Sequence, residues 1–140
     1  MIAGAAAIPA LLMLAGIHVY WAAGGKAGKG AAVPTANGRP VLKPSPLGTA
    51  LVAVGLGVMA AIVALRIGWL NVPGLPGGGV AVKIATWLIA AVFALRAVGD
   101  FRCVGFFKRI RGSAFARLDT AAYSPLCAGL ALLIGIAAGS

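Results

Sequence analysis

Pro44 to Leu65 reads PSPLGTALVAVGLGVMAAIVAL, a stretch without a single charge, and the class of fold turns on it. A helix that crosses the ~30 Å hydrocarbon core of a bilayer takes about 20 residues, and this run is long enough. It has no polar face, so the alternative of a water-exposed helix in a soluble bundle has nothing to present to solvent. Met1–Gly25 and Thr120–Ser140 are equally free of charge. A shorter apolar run, Ile84–Leu95, is bounded by Lys83 and Arg96. It becomes a span if the helix starts near Val80 and continues past Asp100. The expectation is an all-α fold, a four-transmembrane-helix bundle. One membrane domain occupies 1–140, with helices at about 2–23, 48–70, 80–103 and 119–138.

Composition agrees. The chain is 61% hydrophobic and 10% charged, with 21 glycines, too apolar for an ordinary soluble domain. Nine of the twelve Lys and Arg fall in two stretches, Lys26–Lys43 and Arg102–Arg117. The net charge of +10 is then positive-inside charge. Only Arg66 and Lys83 flank the turn 71–79. The bias places the 24–47 and 102–119 loops in the cytoplasm and both termini outside, in a multi-pass protein of the bacterial plasma (inner) membrane. A cleaved signal peptide would begin with a basic segment, which Met-Ile-Ala-Gly-Ala lacks, so the first run is read as a retained helix. Pro9 within it is tolerated in a span as a kink.

In the 102–117 segment, Phe106, Phe107, Ile110 and Phe115 interleave with Lys108, Arg109, Arg111 and Arg117. Rings and cations just outside a span suit the interface, and anionic lipid headgroups are the expected partner. Nucleic acid is excluded as a partner because these cations lie against a membrane.

The polar residues are few. Arg96 is costly within a span and needs a partner or water. Asp100 follows one turn later, and a helical side chain leans toward the N-terminus, so an Arg96–Asp100 ion pair is expected. Asp119 is read as the N-cap of the last helix, with Ser124 before Pro125 as a second possible cap. In a symmetric hairpin of helices 3 and 4, Tyr123 lies level with Asp100, within reach of its carboxylate. His18 is the single histidine, about two turns inside the end of helix 1, and could carry protons. Pro34, Pro40, Pro44 and Pro46 break any helix in 24–47, and helix 2, rich in small residues, is scaffold.

His18, Arg96, Asp100, Asp119 and Tyr123 share one depth and could converge on a polar cavity between helices 1, 3 and 4. His18 and Tyr123 are the catalytic candidates; Arg96, Asp100 and Asp119 are the binding candidates. No metal site is expected, because one histidine and two separated cysteines make no ligand set. A Cys103–Cys127 disulfide is not expected in a reducing compartment. No Walker, Rossmann, HExxH or GxSxG pattern occurs, so no cofactor is named.

The segments His18-Val-Tyr-Trp-Ala-Ala-Gly-Gly25, Arg96-Ala-Val-Gly-Asp-Phe-Arg102, Gly105-Phe-Phe-Lys108 and Asp119-Thr-Ala-Ala-Tyr-Ser-Pro-Leu-Cys127 resemble an uncharacterised family of small bacterial four-helix membrane proteins, a domain of unknown function. The resemblance spans nearly the whole chain. Cys103 stands where it leads one to expect an aromatic residue. It implies the fold and supplies no activity. Three functions stay open: an enzyme or binding protein for a lipid-soluble substrate, a structural or accessory subunit of a membrane complex or homo-oligomer, and a small transporter. The likeness to four-helix exporters is poor, since they carry an acidic residue in helix 1.

Overall fold

The computed structural model describes residues 1–36 and 39–140. Four long helices run through it: α1 (Ile2–Ala22), α3 (Pro46–Arg66), α4 (Val80–Val98) and α6 (Ser124–Gly139). One-turn α2 (Lys29–Ala32) and the residue pairs β1 (Thr35–Ala36) and β2 (Arg39–Pro40) occupy the first connection, where no helix was expected; Asn37 and Gly38 lie outside the described residues. Short α5 (Ala114–Leu118) leads through a π-helical turn, Asp119–Tyr123, directly into α6.

The spans are 21, 21, 19 and 26 residues long, the last counted from Ala114 to Gly139. At ~1.5 Å per residue even α4 covers about 28 Å. Only 28–33% of each span's most apolar stretch is buried inside the protein. Leu12, Met13, Leu51, Val54, Leu88, Val92 and Leu132 face outward. Such outer surfaces are compatible with hydrocarbon and costly in water.

Around the bundle the order is α1, α3, α4, α6, each packed on the next and α6 closing on α1. The core is built from Ala7 and Leu11, Ala60 and Val63, Ala90 and Phe93, and Leu130 and Ile134. α1 and α4 therefore sit on a diagonal. Both long connections that carry the basic stretches lie at one end, the basic end. At the other end, Arg66 Nη2 donates to the carbonyls of Ala138 (3.2 Å) and Ser140 (2.7 Å), tying α3 to the end of α6.

Helix ends follow local chemistry. Ser45 accepts from the Gly48 N–H at 3.0 Å and Pro46 takes the first helical position, so α3 starts at 46 rather than 48. Ser113, not Asp119, caps the last span, accepting from the Ala116 N–H at 3.0 Å. Ser124 is no cap either, because the chain is already helical before it.

The π turn has a cause in Pro125. That residue brings no N–H for the carbonyl four residues back, and its ring crowds that carbonyl. A wider turn relieves both, and the Ser124 N–H bonds Asp119 O instead. The extra residue resets the buried stripe, which runs Asp119, Ser124, Cys127, Leu130, Ile134 and leaves Tyr123, which an unbroken count of four residues per step from Asp119 would put on it, to one side.

Candidate functional site: a carboxylate lock and an apolar cavity at the basic end

The expected Arg96–Asp100 pair is not made. α4 stops at Val98, five residues short of the expected 103, because Gly99 takes φ +90° and the chain turns away. Asp100 then lies outside the helix. Its Oδ1 accepts from the N–H groups of Arg102 (2.9 Å), Cys103 (2.7 Å) and Val104 (2.9 Å). A short acid offering its carboxylate to the following amides competes with the helix for them. The loop folds back, and Phe106 donates to Ala97 O at 2.8 Å, covering a carbonyl the helix end leaves open. Phe101 is held at φ 59° in this turn, a conformation bulky residues rarely take.

Burial of Asp100 acts to raise its pKa, but the three amides outweigh it and hold the carboxyl below the usual carboxylate range. A depressed folded-state pKa means that the contribution is complete above the unfolded value, about 3.9, and is lost as pH falls through the lower folded value. The amide proton shifts of Arg102, Cys103 and Val104 should therefore move together on acidification, with a midpoint below that of a free Asp. Three independent midpoints, or the same titration in Asp100→Asn, would contradict this.

Arg96 pairs instead with Asp119, Nη2 to Oδ1 at 3.0 Å. Asp119 is fully buried, and its Oδ2 accepts from Lys108 Nζ at 3.0 Å and from the Gly105 N–H at 2.8 Å. Lys108 is 2% exposed and spends its other protons on Gly105 O (2.9 Å) and Thr120 Oγ1 (2.6 Å). One carboxylate thus binds the end of α4, the 99–112 loop and the start of the last span. Sequence reasoning placed Lys108 among interfacial cations and missed its burial. The available signal was Gly105-Phe-Phe-Lys108, a lysine three residues after a glycine whose carbonyl it can reach.

Tyr123 does not approach Asp100. Its hydroxyl donates to Ala31 O of α2 at 3.4 Å, and its ring lies 6.0 Å from that of Phe115. His18 is likewise elsewhere. Its Nδ1 donates to Leu14 O at 2.7 Å, since a carbonyl only accepts, which leaves Nε2 of the neutral ring as an acceptor.

His18 lines a 330 Å³ cavity between α1, α3 and the first connection, with Trp21, Lys29, Val33, Leu42 and Val52 among its walls. The five expected residues therefore form no common cavity: Arg96 and Asp119 meet, Asp100 serves its own loop, and His18 and Tyr123 stand apart. The helix order is the reason, because α1 meets α3 and α6 rather than α4. Cys103 and Cys127 are both free and buried. Among the described residues, no group of three His, Cys, Asp or Glu side chains could hold a metal.

Four apolar helices of spanning length, tied at one end by a buried carboxylate, define a small multi-pass membrane protein with an all-α bundle. Residues 11–134 match the family described as "Protein of unknown function (DUF3995)", and the chain belongs to that family. No curated protein matches the chain, and no solved structure does.

Proposed function

We infer that this is a binding protein of the bacterial plasma membrane that takes a lipid-soluble ligand from the cytoplasmic leaflet into the His18 cavity. The cavity itself carries the reading. At 330 Å³ it lies at the lower end of the ~300–1,000 Å³ range of ligand sites, and its walls are mostly apolar with few polar groups. Leu42 and Val52 on its wall are largely exposed, which offers apolar entry from the side. His18 supplies the imidazole at the site, its ring fixed by the Leu14 carbonyl, and is the residue to carry any acid/base step. Tyr123 is a positioning residue that holds α2, one wall of the cavity, through Ala31. Arg96, Asp119 and Lys108 fasten the frame.

A structural or accessory role is the second reading, favoured by one observation: every oxygen of Asp119 is engaged within the chain. Replacing Ala32 with Trp fills the cavity and separates the two. Native mass spectrometry of protein released from membranes should show apolar adducts on the wild type and few on Ala32→Trp. Equal adducts on both would end the binding reading.

The orientation proposed from the charge bias puts the basic end in the cytoplasm and the exposed rings of Phe101 and Phe107, 6.3 Å apart, among anionic headgroups with Arg102 and Arg109. Reporter fusions at both termini should be active on the outer side only. A cytoplasmic C-terminus would reverse the placement of the cavity.

A further inference from the structure

Beside the His18 cavity lies a second, more open one of 460 Å³, and the two share Lys29, Val33, Leu42 and Pro44 as walls. Lys43 stands on the outer one. Most other polar groups of the inner cavity are already committed. The Trp21 Nε1–H donates to Ala27 O at 2.8 Å, and the Thr49 hydroxyl donates to Ser45 O at 2.9 Å. What remains is His18 Nε2 and the Lys29 ammonium.

Among the described residues, Lys29 and Lys43 pair with no carboxylate. The chain has two acids, and both ion pairs among the described residues end on Asp119. Asp100 is held by its own loop. An apolar chamber that opens past one lysine onto a second is asymmetric in a specific way. Its deep part excludes charge and its mouth calls for an anion.

Resting on the reading above, we propose that the occupant is a single-chain amphiphile with a carboxylate or monophosphate head, its chain in the inner cavity and its head between Lys29 and Lys43. A neutral apolar molecule would leave both ammonium groups unanswered, and a cationic amphiphile would be repelled by them. A two-chain lipid exceeds the inner volume, which is at the small end for ligand sites. Trp21 lies on the chain's path and reports its arrival.

The test uses the full chain in phosphatidylcholine nanodiscs, with Trp69→Phe and Trp87→Phe so that Trp21 alone emits. The probes are 9,10-dibromostearate and its methyl ester, which share the quenching chain and differ in the head. Saturable quenching should need about tenfold less of the acid than of the ester. Unlabelled oleate and lysophosphatidate should each relieve it, and their relative potency distinguishes the carboxylate from the phosphate head. Lys29→Gln with Lys43→Gln should abolish the preference, raising the concentration of acid needed to that of the ester. Saturable quenching that is equal for acid and ester, or a preference that survives both substitutions, overturns the anionic head and leaves the apolar site standing. Quenching that rises linearly with both probes, as in simple partition into the bilayer, overturns the site as well.

Discussion

Asp119→Ala should destabilise the protein by about 3–5 kcal/mol, the largest loss expected of any single substitution. The magnitude comes from what remains rather than from what is removed. Lys108 is 2% exposed, and without the carboxylate its ammonium is a buried charge with only a carbonyl and a hydroxyl for company. Arg96 loses its carboxylate acceptor and the Gly105 N–H is stranded. Exchanging the ion pair for hydrocarbon of similar volume is a different matter, since neither charge then has to be desolvated. Asp119→Leu combined with Lys108→Met should therefore recover the share of the loss that falls on Lys108, while Arg96, a third exposed, turns its guanidinium to water. Equilibrium unfolding in mixed micelles measures both. A single-mutant cost below about 1 kcal/mol, or a double mutant at the sum of its parts, would show that the carboxylate does not lock the basic end.

Gly99→Ala should come second. Gly99 and Gly105 have φ of +90° and +89°, and their backbones press against each other where the loop closes on α4. A Cβ at Gly99 would fall on the Val104 carbonyl, and one at Gly105 on that of Val98. The backbone strain alone is about 1–3 kcal/mol, and the clash cannot be relieved by rotating a side chain. The loop must open, which withdraws the Gly105 N–H from Asp119 and the Phe106 N–H from Ala97. Cys103, 5% exposed in the closed loop, is a built-in reporter. Its labelling by a maleimide should accelerate by about tenfold or more in Gly99→Ala, as expected for a local opening easier by ~1.4 kcal/mol. An unchanged rate with unchanged stability would mean that the close approach is not required. Gly105→Ala should behave alike.

The four spans were legible because hydropathy and length are local properties that a bilayer reads directly. The need of Arg96 for a partner was legible for the same reason. Which aspartate answers it was not. A pair at i and i+4 presumes that the helix continues, and α4 ends because Asp100 takes the next amides and the returning loop covers the helix carbonyls. Both are contacts between segments, invisible to a periodic count. The face of Asp119 was hidden in another way. Pro125 was noticed as a possible restart of the helix, whereas the chain absorbs it with a π turn and so moves the stripe by one residue. His18 was assigned the wrong neighbours because circular order in a bundle depends on packing that four similar apolar sequences do not encode in any simple pattern.

The three-way contact at Asp119 also has a temporal side. A ribosome delivers Arg96 first, then Lys108, and only afterwards the carboxylate that joins them, on the last span. Until that span enters the membrane, α4 ends in an unanswered guanidinium, and the ammonium of the loop behind it finds only Asp100, which the loop's own amides already hold. Insertion of the final helix is therefore the event that closes the basic end. A nascent chain halted before Asp119 carries three hydrophobic segments that pack on one another but lack the carboxylate that fastens their basic end.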